Sequence, residues 1–353
     1  MALFRKSNPP LLGIDISSTA VKVLELRRQD SRYRVESYAV EPLPPNAVVE
    51  KVIVEADAVA AATRNAVKRS RSKAKLAAVA VPTSMAISKT IPLAAGLDDR
   101  EMAAQIESQA NQYVPYPLEE LNLDFQVLGP SEDSQGDVDV LLVASRSENV
   151  DARVAVLEAA ELTPRIVDVE SYAMENAFSL IAQQLPGDGR NQVIAIADVG
   201  ATMTTLTVVD KGQIIYTREQ AFGGKQLTEE IMRRYGLSYE EAGRAKRQGG
   251  LPDTYPAEIL EPFREDMVQQ ISRALQFFFS ASQHSQIDHL LLAGGCAALP
   301  NATAAIQEAT GTKTTIANPF SSMAVASSIR PQLLAEDAPA LMIACGLAMR
   351  SFD

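Results

Sequence analysis

One pattern occurs twice in this chain, and it limits the possible folds more than any other. Residues 11–26 read as an apolar strand, a turn of small residues and a second strand; Asp15 ends the first strand and Ser17-Ser18-Thr19 make the turn. Residues 193–209 read the same way, with Asp198 at the strand end and Gly200-Ala201-Thr202 in the turn. Short β-rich runs punctuated by Gly, Ser and Thr are the mark of hairpins. Each hairpin is continued by a third strand, at 33–40 and at 213–219, and then by helical sequence. The repeat is therefore as large as a domain, not a short solenoid unit. At 353 residues the chain also exceeds what one core usually fills, so two duplicated α/β domains are expected.

The first half carries additional material. Residues 76–82 are β-rich, and 83–92 continue in an extended, alternating pattern. Helical spacing covers 98–113, with Asp98 or Asp99 as N-cap. A hairpin of 123–128 and 138–145 follows around the polar loop 129–137, then an amphipathic helix at 149–160 and a strand at 164–169. An inserted αβ subdomain at about 83–162 is the expectation. The halves separate at the turn-rich Pro186-Gly187-Asp188-Gly189-Arg190-Asn191. In the second half, 225–235 and 238–248 are helical. A long helix then sets Ile259, Phe263, Met267, Ile271, Leu275 and Phe278 or Phe279 on one face, so Phe277-Phe278-Phe279 reads as core packing.

Composition removes several function classes. A net charge of −11 argues against a general nucleic-acid binder, which needs a basic face to displace counterions. The basic run from Lys68 to Lys75 reads as a solvated helix end or loop. Cys296 and Cys345 lie far apart with no secretory signal, as expected of reduced thiols in a cytosolic compartment. No apolar run reaches the ~18 residues that span a bilayer, and the basic-apolar start, residues 1–6, is too short for a signal peptide. His284 and His289 lack metal-ligand spacing. Neither a Gly-x-Ser-x-Gly elbow nor a Walker A loop occurs.

The duplicated turns have a chemistry of their own. Turns of Gly, Ser and Thr expose backbone N–H groups and hydroxyls that can cradle phosphate oxygens. An Asp beside each turn can hold Mg²⁺, directly or through water, because that ion prefers oxygen ligands and keeps much of its hydration. One Asp-bearing turn is common at strand ends; two at corresponding places weigh far more. A third element is the buried strand of Leu290-Leu291-Leu292-Ala293 leading into Gly294-Gly295-Cys296. Paired glycines let backbone approach a flat ligand such as adenine, although the same turn also serves ordinary strand-to-helix links.

Taken in order, the Asp15 hairpin, the Glu170 segment, the Asp198 hairpin, the Gly294-Gly295 turn and the C-terminal Cys345-Gly346-Leu347-Ala348 resemble the actin/Hsp70/sugar-kinase ATPase superfamily. The resemblance implies a duplicated, ribonuclease H-like α/β fold with two domains around a nucleotide cleft. Those domains would be 1–190, with the inserted subdomain, and 191–337, with a helix at 338–353 returning to the first. Within the superfamily the chain most resembles the PilM family of type IV pilus assembly proteins, relatives of the division protein FtsA. The segments 11–18, Tyr113-Val114-Pro115-Tyr116-Pro117, Asp168-Val169-Glu170-Ser171 and Ala221-Phe222-Gly223-Gly224 carry that narrower match.

The resemblance also implies roles for residues. Asp15 and Asp198 would organise Mg²⁺ and its waters beside ATP. Gly13 belongs to the first phosphate segment, and Ser17, Ser18 and Thr19 with Gly200, Ala201 and Thr202 would clamp the β- and γ-phosphates. Lys22 either reaches the phosphates or faces solvent. Gly223 and Gly224 would pass close to the nucleotide, Gly294, Gly295 and Cys296 would border adenine, and Lys246 would lie against the adenosine. Glu170 either orients the attacking water as a general base or caps a helix. Where relatives carry a ribose-binding Glu three residues before Lys246, this chain has Gly243, and Glu241 would have to reach from another helical position.

The function implied is an ATP-binding adaptor with slow turnover at most, cytoplasmic and peripheral to the inner face of the bacterial inner membrane. It would bind the N-terminal cytoplasmic tail of PilN in a groove beside the inserted subdomain, in pilus biogenesis and twitching motility. Other pilus assembly proteins and motor ATPases are further partners that the family suggests. A small-molecule kinase of the sugar-kinase type and an FtsA-like filament former are the alternatives.

Overall fold

A computed structural model describes residues 9–29, 32–109, 112–131, 134–189 and 191–352. The start at 1–6, residues 110–111 of the expected 98–113 helix, residues 132–133 of the 129–137 loop, Arg190 at the expected break and Asp353 lie outside the described residues.

The first half opens with β1 (Leu11–Ile16), β2 (Ala20–Gln29) and β3 (Arg32–Pro42), an antiparallel meander. A two-strand hairpin follows, β4 (Val48–Val49) and β5 (Val52–Ile53), then α1 (Ala56–Ser70) and β6 (Leu76–Val81). The basic run falls at the end of α1, where Arg71 closes the helix with φ of 60°, and in the loop beyond. The alternating 83–92 segment is interrupted: residues 83–85 make a single 3₁₀ turn before β7 (Ala86–Ala94). The helix expected at 98–113 is α2 (Asp99–Gln109), and its cap is Asp98, which accepts from Glu101 N while Glu101 accepts from Asp98 N. Next come β8 (Leu121–Pro130), β9 (Asp137–Arg146), α3 (Ser147–Ala159), β10 (Thr163–Val169) and α4 (Glu170–Ala182).

The second half repeats the opening with β11 (Val193–Val199), β12 (Thr204–Asp210) and β13 (Gln213–Gln220). It continues through α5 (Gly224–Tyr235), α6 (Tyr239–Gln248), α7 (Glu261–Ala281), β14 (His289–Ala293), α8 (Ala302–Thr310) and β15 (Thr314–Ile316). The last elements are β16 (Ala324–Val325), α9 (Pro331–Asp337) and α10 (Met342–Met349).

The two main sheets have one topology. The first runs β10-β6-β1-β2-β3, with β16 added at its edge, and the second runs β15-β14-β11-β12-β13. In each, the hairpin and third strand are antiparallel, while the first hairpin strand pairs in parallel with a later strand that pairs in parallel with another. Parallel neighbours need helical crossovers, and these cover the sheet faces. One apolar cluster packs α5, α7 and α8 on the second sheet, and another packs α1 and α3 on the first. A third joins both sheets through α4 and α10, with Leu24, Val35, Phe178, Ile194, Ile196, Leu291 and Met342 buried together.

Two expectations change on packing grounds. The three-stranded sheet β7-β9-β8 with α2 has its own small core of Ile91, Leu93, Met102, Ile106, Val140 and Leu142. Helix α3, which the 83–162 insertion included, instead buries Val156 and Leu157 on the first main sheet. The Phe277-Phe278-Phe279 triplet also divides: Phe278 is fully buried, whereas Phe277 is 42% exposed beneath the Arg218 guanidinium, 3.8 Å from its ring centre.

Candidate functional site

The repeated topology brings the repeated turns face to face. Ser17 closes the first turn through its N–H and hydroxyl, both donating to Ala20 O. Gly200 N donates to Met203 O and closes the second. Ser18 Oγ then lies 2.8 Å from Thr202 Oγ1, so hydroxyls from the two halves share a hydrogen bond. Asp15, 4% exposed, sits directly across the β1–β2 ladder from Lys22, whose Nζ donates to Asp15 Oδ2 at 2.8 Å. Lys22 thus turns toward Asp15 and does not face open solvent. Burial works against its ammonium, but Asp15, joined by Asp198 and Glu170, outweighs burial and raises its pKa. Burial also pushes the Asp198 carboxyl up, with Lys22 and Lys51 opposing.

The start of α5 is pressed against the second turn. Gly224 N donates to Gly200 O at 3.0 Å and Lys225 N to Ala201 O at 2.7 Å, so the turn's carbonyls satisfy N–H groups that a helix start leaves free. There is no room for a side chain at Gly223, where a Cβ would lie 2.5 Å from Ala201 O. Lys246 Nζ reaches in from α6 to Gly224 O at 3.0 Å and Thr228 Oγ1 at 2.8 Å. Burial lowers its pKa. Cys296 Sγ is 3.7 Å from Gly200 O, and burial pushes the thiol up to about 11, which makes it a poor nucleophile.

The glycines turn out to differ. Gly294 has φ of +83°, and a Cβ on it would meet Val199 O at 2.3 Å and Asp198 Oδ1 at 2.4 Å. Its smallness serves the second hairpin. Gly295 is exposed and faces open space, as a position beside a flat ligand should. Gly13 points away from the turns: a Cβ there would lie 2.1 Å from Ala344 O, so helix α10 accounts for this glycine. Glu241 is committed elsewhere, since it completes a capping box with Ser238, while Gly243 is open.

Glu170 begins α4 and is not its N-cap, and its carboxylate meets a residue that the sequence reading missed. Lys51 Nζ donates to Glu170 Oε2 at 2.6 Å and to Glu219 Oε1 at 2.8 Å. Burial pushes Glu170 up to about 7 even though Lys51 pulls the other way. The available signal was Val48-Val49-Glu50-Lys51-Val52-Ile53, two apolar pairs around a two-residue turn, but without the Gly or Asn that announces such a hairpin. Lys51, Glu219, Ser18, Thr19 and Thr202 line a cavity of about 660 Å³ between 43–51 on one side and α5–α6 on the other.

The donor set suits a hydrated Mg²⁺ and a polyphosphate. Asp15 and Asp198, two hydroxyl-bearing turns, Lys22 and Lys51 lie together, and Mg²⁺ needs only one or two carboxylates besides phosphate and water. Among the described residues no group of three or more His, Cys, Asp or Glu forms a ready-made metal cage.

The comparisons with known proteins agree with the architecture. A chain of a PilM-PilN type IV pilus biogenesis complex superposes with a TM-score of 0.79 at 25% identity, covering 97% of this chain and 98% of that one. The ethanolamine utilization protein EutJ from Carboxydothermus hydrogenoformans follows with a TM-score of 0.58 at 16% identity, over 97% of this chain and 89% of its own. The diol dehydratase-reactivating factor in nucleotide-free form gives 0.52 at 10%, over 97% and 99%, and these last two show the fold alone. The family profile of the type IV pilus assembly protein PilM matches residues 13–352. With the duplicated actin-like architecture and this match along nearly its whole length, the chain belongs to the PilM family of type IV pilus assembly proteins.

Proposed function

We propose that this protein is a nucleotide-dependent adaptor that holds the N-terminal cytoplasmic tail of a PilN-type partner at the inner face of the inner membrane, in pilus assembly and twitching motility. The observation that carries the reading is the end-to-end likeness to the PilM-PilN complex chain, at 25% identity. Family membership favours the adaptor over the kinase and filament readings. The working units are 1–190 and 191–337, with 338–353 returning to the first; the burial of α10 against β1 and α4 supports that division. The small sheet is best taken as 86–146, because α3 packs on the main sheet.

ATP with Mg²⁺ is the proposed ligand of the cleft. Asp15 and Asp198 hold the ion's waters, and the turns Ser17-Ser18-Thr19 and Gly200-Ala201-Thr202 take the phosphates. Lys246, Gly224, Gly295 and Cys296 border the nucleoside. Lys22 is held ready on Asp15 at 2.8 Å and can pass its ammonium to a phosphate when the carboxylate engages the ion. Glu170, with its pKa raised to about 7, is suited to accept a proton from an attacking water near neutral pH.

Fluorescence anisotropy with a labelled peptide of the partner's N-terminal tail tests the reading. Saturable binding is expected, with affinity changing about fivefold or more between Mg²⁺-ATP and Mg²⁺-ADP, the lower end of ordinary coupling. Equal affinities would remove the switch, and no binding would remove the adaptor.

A further inference from the structure

A single ammonium group ties the two halves together at the cleft mouth. Glu170 follows directly on β10 of the first main sheet, whereas Glu219 lies on β13 of the second, and Lys51 bridges them. The three side chains are 17%, 15% and 12% exposed for Lys51, Glu170 and Glu219, so water screens the bridge little. Breaking one partner of such a pair strands an uncompensated charge.

The backbone beneath the bridge is unusual. Glu50 and Lys51 have φ of 49° and 65°, both in the left-handed region, at the centre of the β4–β5 hairpin. Glycine or asparagine suits such a turn, and other side chains are strained there. A lysine occupies it here and carries the bridge. Arg153, 3% exposed, holds the turn from behind. Its Nη2 donates to Lys51 O at 3.1 Å while Nε and Nη1 donate to Ala80 O and Asn149 O, which fixes the turn to β6 and α3 of the first half. The lysine is thus mounted on a rigid base on one side and engages a carboxylate of the other.

We propose that Lys51 is a bolt between the two halves, a positioning residue that keeps the cleft closed through Glu219 without any bound ligand. Opening the cleft requires Lys51 to leave Glu219 and remain with Glu170 alone. The bolt acts on the protein by itself, so it stands or falls independently of nucleotide binding.

Hydrogen exchange read by mass spectrometry on the full chain, without nucleotide and at about pH 8 where Glu170 is ionised, tests it in Lys51→Met, Lys51→Arg and Glu219→Gln. Loss of the charged hydrogen bond to Glu219 predicts exchange about tenfold faster at the two facing turns, 17–20 and 200–204, in Lys51→Met and in Glu219→Gln. Lys51→Arg, which can span both carboxylates, is expected to keep wild-type rates. Faster exchange confined to 48–53, with the facing turns unchanged, would overturn the bolt and leave Lys51 as a support for its own hairpin. Glu219→Gln keeps the Lys51–Glu170 pair, so the test survives if Lys51→Met does not fold. Wild-type rates at both turns in Glu219→Gln would also overturn it.

Discussion

At Gly346 a β-carbon would lie 1.7 Å from the carbonyl oxygen of Ala173, because α10 and α4 cross backbone to backbone there. Gly346→Ala must force the helices apart inside the cluster that joins both sheets, and overpacking of this kind costs about 1–3 kcal/mol. Urea unfolding should show the loss as a lower midpoint; an unchanged midpoint would mean that the helices do not cross so closely. Glu170 gives a prediction of a different kind. Its folded pKa of about 7 lies above the ordinary 4.5, so the folded chain holds this proton more tightly than the unfolded chain. The associated stability is fully present below about 4.5 and is lost as pH rises through about 7. Glu170→Gln should therefore flatten the fall in melting temperature from about pH 5 to about pH 8. A wild-type slope in the variant would assign that titration to another group.

Among elements, α6 is the most exposed to test. Its start is held by the reciprocal Ser238–Glu241 box, and Ser238→Ala should cost about 1 kcal/mol in unfolding measurements. The same box commits Glu241, and Gly243 offers no side chain, so neither of the two positions weighed for a ribose contact supplies a free carboxylate. ATP and 2′-deoxy-ATP should then bind within about threefold of each other, less than a lost side-chain hydrogen bond would give. Discrimination of tenfold or more would show that another group reads the 2′-hydroxyl. Elements of this sort are also where sequence reading succeeded and failed. The hairpins at 11–26 and 193–209 were legible because a strand, a small-residue turn and a strand are local events. The role of α3 was not, because its amphipathic face does not say which of two nearby sheets it meets. Gly13 lies in the first phosphate segment by sequence, yet its smallness is set by α10, at the other end of the chain, which no local pattern announces. Lys51 escaped for the same reason: its partners Glu170 and Glu219 are distant in sequence, and no local pattern joins them.

The whole molecule is organised by two main sheets, of six and five strands, that share one five-strand topology and are held together by α4 and α10 in a common apolar layer. Among the described residues no single helix is long and apolar enough to cross a membrane. The bent pair Pro331–Ala340 and Met342–Phe352 passes by length and composition, yet Leu334, Ala338, Leu341, Met342 and Ala344 are buried in that same layer. Mg²⁺-ATP between Asp15 and Asp198 is the proposed ligand on which the function of the cleft depends. Calorimetric titration of Mg²⁺-ATP into the wild type and into folded Asp15→Ala and Asp198→Ala proteins measures this directly. Saturable binding by the wild type, weakened about tenfold or more in both variants, is the predicted result. No heat of binding from the wild type, or undiminished binding in both variants, would contradict it.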